Sequence, residues 1–171
     1  MKLTTKIVKD LSYLNPKDLD CVIVLGKDSQ KQQRLNKAQA LVVNVPIKDY
    51  NIDEEIDLRD CAADIDIKMI LDLVELCHDA ETVYVHDLEG QHKAWAVALG
   101  IEVYKNKKQS LKDVLRAHAI RYPDIKPSAI WVIELFDYCL GCKGKLIELI
   151  EEYLVTGVLV SSTGIFEASW D

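Results

Sequence analysis

Hydrophobic positions along this chain form two kinds of pattern, which together predict a sheet covered by helices. Three short runs rich in β-branched residues, 21–25, 40–46 and 83–86, lack a regular polar alternation. Such runs are typical of strands that are buried on both faces, as in parallel sheets. The stretch 5–14 mixes β-formers with polar residues and predicts one or two edge strands before Asn15 and Pro16 turn the chain.

Apolar residues at three- and four-residue steps predict helices in the remainder of the chain. The predicted helices cover 58–76, 94–101, 110–122, 127–136 and 143–154. The second has no charged residue, so we expect it at the centre of the domain. Ser110 is a candidate N-cap for the third, and Pro127 is expected to open the fourth. Alternating strands and helices followed by several helices predict an α/β domain with a mostly parallel central sheet flanked by helices.

The C-terminal stretch 155–171 differs from the rest because it is β-branched and punctuated by glycine. It predicts an added strand or hairpin, which makes a β-rich extension after a single domain over 1–154. We expect this extension to pack on the same domain, since exposed apolar strand edges are usually covered. Self-association through 155–171, or binding of a partner, is the alternative.

Charge and hydropathy narrow the classes of protein that fit. The formal net charge of −7 and the pI near 5.1 argue against a nucleic-acid-binding surface. The basic run Lys105, Lys107 and Lys108 is interpreted as a solvated loop. No uncharged apolar stretch reaches 18 residues, and the N-terminus lacks an apolar signal core. We therefore expect no membrane association and a soluble, intracellular (cytoplasmic) protein.

Cysteine usage gives no sign of disulfides or of a metal site. The five cysteines are odd in number and widely spread, which favours free thiols in the core. Cys139 and Cys142 form a single C-x-x-C pair, whereas a structural zinc site needs a second pair or two histidines at matching spacing. The four histidines do not have that spacing. We expect no metal and no cofactor.

The most informative stretch is 82–94, where a β-rich run, a tight loop with Gly90 and an apolar helical run follow each other. Such a junction directs backbone N–H groups and the positive end of a helix dipole at one small volume, which suits an anion. The residues of this loop are His86, Asp87, Leu88, Glu89, Gly90, Gln91, His92 and Lys93.

This loop resembles that of the dual-specificity branch of the cysteine-dependent protein tyrosine phosphatases. In that family the strand ends in His-Cys, and two residues, Gly, two residues, Arg and then Ser or Thr follow. In this chain Asp87 stands at the cysteine position, Lys93 at the arginine position and Ala94 at the hydroxyl position. Segment 45–49 is similar to the family's general-acid segment, which would make Asp49 the general acid, and 110–123 is similar to the helix after the catalytic helix. The match covers about 18–140 and implies a protein tyrosine phosphatase-like fold.

The substitutions in the loop remove the chemistry that the resemblance would imply. A carboxylate is a weak nucleophile, and lysine lacks the planar fork that binds two phosphate oxygens. Two unit charges about 4 Å apart at an effective dielectric near 20 repel by roughly 4 kcal/mol, so an ionised Asp87 would weaken phosphate binding about a thousandfold. Our hypothesis is that the Asp87 carboxylate takes part of the anion's place, with Lys93 nearby.

Simpler interpretations of the same residues stay open. Asp87 could only cap the following helix, since Asp is a preferred cap. Asp49 would have nothing to protonate and fits a solvated loop residue. His86 is expected to order the loop through hydrogen bonds, while Glu89 and His92 are expected to face outward.

The sequence therefore predicts a pseudophosphatase: a catalytically inactive protein, without catalytic residues, that acts as a protein-binding or regulatory module. The alternative is an active phosphatase or phosphohydrolase that uses Asp87 as an unusual nucleophile or metal ligand. A third possibility is a stable body whose tail, 155–171, mediates assembly.

Overall fold

The structure, a computed structural model, describes residues 4–11, 14, 21–26, 41–45, 62–76, 80–87 and 91–168 of the chain. The elements in chain order are β1 (Thr4–Ile7), β2 (Cys21–Leu25), β3 (Leu41–Val45), α1 (Ala62–Leu76), β4 (Thr82–Asp87), α2 (His92–Lys105), α3 (Leu111–Arg121), α4 (Ile130–Leu140), α5 (Lys145–Thr156), β5 (Val158–Ser161) and β6 (Gly164–Glu167). The architecture is α/β, and no helix in these ranges is long and apolar enough to span a bilayer.

The first four strands form a parallel sheet in the order β1-β4-β2-β3. β4 is an interior strand, and Val83 lies opposite Thr5 on one side and Cys21 on the other. All three β-branched runs form strands, as predicted, and β1 supplies the edge strand expected near the N-terminus. Because the strands are parallel, their carboxyl ends share one edge of the sheet.

Both faces of the sheet are covered, which explains the uninterrupted apolar run of β2. Cys21, Ile23 and Leu25 pack with the helices on one face. Val22 and Val24 pack on the other face, in a cluster with Leu11. Every residue of β2 is buried, so a polar side chain at any of its positions would lose its hydration.

α2 is the central helix of the domain, as its uncharged sequence predicted. It buries 11 of its 14 residues and packs against β1, β4 and the helices α1, α3 and α4. The helix extends past the predicted range 94–101 at both ends, and its last turn includes the charged residue Glu102, which is buried. Because neighbouring elements surround α2, the residues at its two ends have fixed positions in the domain.

The ends of the other helices agree only in part with the predictions. Ser110 caps α3 as expected, since its hydroxyl accepts a hydrogen bond from the backbone N–H of Asp113 at 3.1 Å. The expectation that Pro127 opens a helix is wrong, because α4 begins at Ile130. Pro127 and Ala129 are both buried, and the chain reaches the core through this non-helical segment before the helix begins. Residues 58–61 of the first predicted helix lie outside the described ranges.

The chain ends in the antiparallel hairpin of β5 and β6, which packs on α3 and α5. Leu159 is buried, and the Phe166 ring lies 6.3 Å from the ring of Tyr153 on α5. The Arg116 guanidinium on α3 donates a hydrogen bond to the Thr163 hydroxyl in the hairpin turn at 3.0 Å. An isolated hairpin is marginal in water, so these contacts stabilise it.

The contact between α2 and α4 at Gly100 can be tested by substitution. Gly100 on α2 faces the ring of Phe136 on α4, and a Cβ at position 100 would overlap that ring. We expect Gly100→Ala to lower the free energy of unfolding by about 1–3 kcal/mol through overpacking. This loss should appear even though alanine is about 1 kcal/mol better than glycine inside a helix. Urea unfolding monitored by circular dichroism measures it.

The control is the same Gly100→Ala substitution made in a Phe136→Leu variant. In that variant the ring is gone, so adding Ala at position 100 should cost much less than it does in the native chain. Equal costs in the two backgrounds, or a stabilised Gly100→Ala protein, would contradict the contact between the two helices.

Candidate functional site

The candidate site lies at the carboxyl end of β4 and the first turn of α2. His86 and Asp87 are the last two residues of β4, and His92 and Lys93 are the first two residues of α2, with Gln91 in the N-cap position. The predicted loop residues Leu88, Glu89 and Gly90 lie outside the described residues, as does Asp49. The structure therefore brings the two flanks of the predicted loop to one end of the interior strand.

His86 joins the ends of two neighbouring strands. Its side chain is 3% exposed, and its Nδ1 lies 2.7 Å from the carbonyl oxygen of Val8, just after β1. A carbonyl can only accept, so Nδ1 carries the proton in this contact. Its Nε2 is buried and has no hydrogen-bond partner among the described residues. The contact with Val8 ties the end of β4 to the segment after β1, and residues 88–90 of the loop that His86 is expected to order lie outside the described ranges.

Asp87 and Lys93 are both buried, with 7% and 8% of their surface exposed. Each of the two residues interacts with another group. The N-cap of α2 is Gln91, so Asp87 does not occupy the N-cap position considered for it. Asp87 and Lys93 therefore lie at this junction with little exposure to solvent.

His92, in contrast, is exposed at the start of α2. Its Nδ1 lies 3.3 Å from the carbonyl oxygen of Lys126. The outward orientation expected for His92 is what the structure has.

A second group of polar residues, which the sequence did not predict, is buried near the other end of α2. The Glu102 carboxylate accepts hydrogen bonds from the Thr5 hydroxyl on β1 and from the Arg121 guanidinium on α3, both at the same oxygen. Its other oxygen lies 3.0 Å from Nδ1 of His118, also on α3. These four residues, which we call the Glu102 cluster, link the edge strand to two helices.

His118 is fully buried and has an oxygen acceptor at each ring nitrogen. Nδ1 faces the Glu102 carboxylate, and Nε2 lies 3.1 Å from the carbonyl oxygen of Trp95. The carbonyl oxygen of Trp95 can only accept, so Nε2 is the donor in that contact. The rings of Trp95 and Tyr122 meet the imidazole edge to face, at centroid distances of 4.6 and 4.9 Å.

The ionisation of Glu102 results from opposing effects. Burial by itself would raise the pKa of this carboxyl group. The hydrogen bond and charge of His118, the Thr5 hydroxyl and the Arg121 charge together bring the pKa below its ordinary value. Both carboxylate oxygens and both ring nitrogens already have protein partners, so the Glu102 cluster acts as a structural brace and not as a reaction centre.

The signals for this cluster in the sequence were weak. Its residues lie at positions 5, 102, 118 and 121 and belong to no motif. A histidine on the apolar face of a predicted helix and an acidic residue directly after an uncharged run were the only hints. Residues this far apart in sequence come into contact only in the folded chain, so their pairing could not be predicted.

The described residues contain no group of three or more His, Cys, Asp or Glu side chains that could hold a metal ion. Among the described residues, Cys21, Cys139 and Cys142 form no disulfide bond; Cys21 is fully buried and the other two are half-buried.

The pKa of Glu102 leads to a prediction about stability at low pH. A carboxyl group whose pKa is lower in the folded state stabilises the fold above its unfolded pKa, near 4.5, and this contribution is lost as the pH falls through the folded value. The free energy of unfolding should therefore decline below about pH 4.5. Glu102→Gln should weaken the fold by about 1–3 kcal/mol at pH 7, because the buried His118 loses its charged acceptor, whereas the Arg121 side chain, 36% exposed, can be solvated by water. Urea unfolding across pH measures both effects.

Glu148, an exposed residue on α5, provides the control. Glu148→Gln should leave both the stability at pH 7 and its decline in acid almost unchanged, whereas Glu102→Gln should flatten the decline. If Glu102→Gln unfolds with the same pH dependence as the native chain, the Glu102 carboxylate is not the group that titrates.

Comparison of the chain with protein-family models and with curated proteins gave no match in either case. The resemblance to phosphatases therefore depends on the residues of the chain alone.

Proposed function

We propose that the protein is a catalytically inactive relative of the dual-specificity phosphatases that serves as a protein-binding or regulatory module. The observation that carries this proposal is the pair Asp87 and Lys93. At the two positions where the family has its nucleophilic cysteine and its phosphate-binding arginine, this chain has an acidic and a basic residue that are both buried and that each interact with another group.

The electrostatics of the junction oppose both binding and turnover of a phosphate ester. A phosphate group entering the loop would meet the negative charge of Asp87, at a cost of roughly 4 kcal/mol per unit charge at about 4 Å. Lys93 retains a positive charge but offers no bidentate fork. Any ligand would also have to displace the interactions that Asp87 and Lys93 already make.

The order of elements supports the relationship. The resemblance places the loop between a central strand and a central helix, with the helix of 110–123 next. In the structure β4 is an interior strand, α2 is the buried central helix and α3 follows it. A protein tyrosine phosphatase-like fold and a C-terminal β-rich extension on the same domain are parts of this proposal.

The proposed partner is a protein, with no role for nucleic acid, membrane, metal or cofactor. His92 gives the rim of the junction an exposed polar group. On the C-terminal hairpin, Val160 and Ile165 lie opposite each other and are 58% and 64% exposed. We assign this apolar pair to self-association through 155–171, which the molecular mass in solution tests.

Hydrolysis of an aryl phosphate separates the proposal from its alternative. We expect no turnover by the native chain above that of the buffer, with or without Mg²⁺, because a competent nucleophile is missing. Release of nitrophenol from nitrophenyl phosphate measures it. Turnover that Asp87→Ala abolishes would establish instead an active phosphohydrolase that uses Asp87 as nucleophile or metal ligand.

Restoring the two residues is the complementary experiment. The double variant Asp87→Cys with Lys93→Arg removes the repelling carboxylate and restores the fork, so phosphate should bind about a thousandfold more tightly than to the native chain. Slow hydrolysis should accompany this gain. Calorimetric titration with phosphate and the aryl phosphate assay measure the two effects.

The double variant Asp87→Ser with Lys93→Arg is the matched control for the thiol. It should gain phosphate binding but no turnover, because a serine hydroxyl is not activated by the loop as a thiolate is. Tight binding of phosphate or vanadate to the native chain would contradict the hypothesis that the Asp87 carboxylate takes part of the anion's place in the loop. If the well-folded double variant Asp87→Cys with Lys93→Arg does not bind phosphate, this loop does not correspond to the phosphate-binding loop of the family.

A further inference from the structure

A cavity of about 480 Å³ lies at the opposite end of α2 from the phosphatase-like junction. It is partly open to solvent and is bordered by the last turns of α2 and α4, the first turns of α3 and α5, and the two connecting segments. Because α2 has 14 residues that each rise 1.5 Å, about 20 Å separates this cavity from the junction. The volume falls within the range of small-molecule sites in proteins, roughly 300–1,000 Å³.

The charged residues that line the cavity are all basic. Lys107, Lys143 and Lys145 line it, and its lining contains no Asp or Glu. In the part of the chain that the structure describes, none of these three ammonium groups forms an ion pair. The cavity is thus bordered by three exposed lysines that form no ion pair with a described residue, in a chain with a net charge of −7. We call this cavity the lysine pocket.

Two neighbouring lysines outside the lining behave differently. The Lys105 ammonium pairs with the Glu75 carboxylate at 3.2 Å, and the Lys112 ammonium pairs with the Glu152 carboxylate at 3.7 Å. The chain therefore has carboxylates within reach of lysines on both sides of the lysine pocket, but the three that line it are left without an acidic partner.

The lysine pocket combines this positive rim with apolar side chains. Val103, Leu111, Val114 and Leu140 line its interior. Lys107 is held at the rim because its ammonium group lies 4.4 Å from the centroid of the Tyr104 ring, a cation–π contact. An apolar wall with a few placed polar groups is the usual composition of a small-molecule site.

The turn that carries Lys143 is held in place by a buried carboxylate. Asp137 accepts hydrogen bonds from the backbone N–H groups of Gly144 and Leu146 at 2.7 and 2.8 Å, and so caps α5. Lys143 itself has φ 59°, a left-handed conformation that residues other than glycine rarely adopt. Because Asp137 holds the backbone of this turn, presenting Lys143 at the cavity needs no rearrangement of the main chain.

We propose that the lysine pocket binds a small organic anion, an apolar body that carries one carboxylate or phosphate group. The apolar body packs against the side chains of the interior, and the anionic group pairs with Lys107, Lys143 and Lys145. The same site accepts both anions, since an ammonium group is a point charge that does not select one oxyanion geometry. Binding weakens as salt screens the exposed part of the rim.

The test uses three probes of the same shape: 1-naphthyl phosphate, 1-naphthoate and the neutral 1-naphthalenemethanol. Calorimetric titration of the full chain should show saturable binding of both anions and at least about tenfold weaker binding of the neutral alcohol. Equal affinities for all three probes, or no saturable binding of either anion by about 1 mM, would overturn the proposal.

Matched triple variants place the binding site. Lys107→Gln with Lys143→Gln and Lys145→Gln should weaken anion binding by at least about tenfold. The control triple, Lys9→Gln with Lys68→Gln and Lys112→Gln, removes the same charge from exposed lysines outside the lining and should bind almost as the native chain does. Equal losses in the two triples would show that only net charge matters, and an unchanged pocket triple would place the anion elsewhere; both results would overturn the proposal.

Cys142 gives a readout that does not depend on any substitution, because it lines the lysine pocket and is half-buried. Burial, with the nearby Asp137 charge, raises the pKa of this thiol, so alkylation by iodoacetamide is followed at about pH 9. Saturating 1-naphthoate should slow alkylation of Cys142, resolved by peptide mass spectrometry, and leave Cys139 unchanged as the internal reference. An unaltered rate at Cys142 would overturn the proposal.

Discussion

The arrangement of the described domain depends on the neutralisation of one carboxylate inside its core. Glu102 lies on the central helix α2, where a single ionised group without partners would cost several kcal/mol. Its partners come from the edge strand and from α3: the Thr5 hydroxyl, the His118 imidazole and the Arg121 guanidinium. β1 has only four residues, and these polar contacts add to its pairing with β4 and its packing against α2 in holding it at the edge of the sheet. Tyr122 adds a hydrogen bond from its hydroxyl to the carbonyl oxygen of Thr5 at 2.8 Å.

α2 also determines where binding can occur, because its middle is filled. A Cβ at position 100 would overlap the Phe136 ring, so α2 and α4 are in close contact there, and the two candidate sites lie at the ends of α2. At the N-terminal end lies the phosphatase-like junction, where Asp87 and Lys93 are buried and engaged. At the C-terminal end lies the lysine pocket, whose cations have no acidic partners among the described residues. We therefore expect an anion to bind poorly at the N-terminal end of α2 and better at its C-terminal end.

Some elements could be predicted because their causes are local. The uninterrupted run of β2, the uncharged start of α2 and the Ser110 cap of α3 each depend on residues within a few positions of one another, and the structure has all three. The start of α4 could not be predicted, because burial of Pro127 and Ala129 against the core outweighed the usual preference for proline in the first turn of a helix. Likewise the run at 105–108, interpreted as a solvated loop, contains one lysine that pairs with Glu75 and one that lines a cavity.

The sequence by itself determined the α/β alternation, the strand–loop–helix junction at 82–94 and the identity of the residues there, since Asp87 and Lys93 can be read directly. Only the tertiary structure decided that these two charges are buried, that Glu102 meets His118 and Arg121, and that Lys107 meets Lys143 and Lys145 at one cavity. The reason is physical: hydrophobic periodicity is set by neighbours along the chain, whereas the burial and pairing of a charge depend on residues that folding brings together from distant positions.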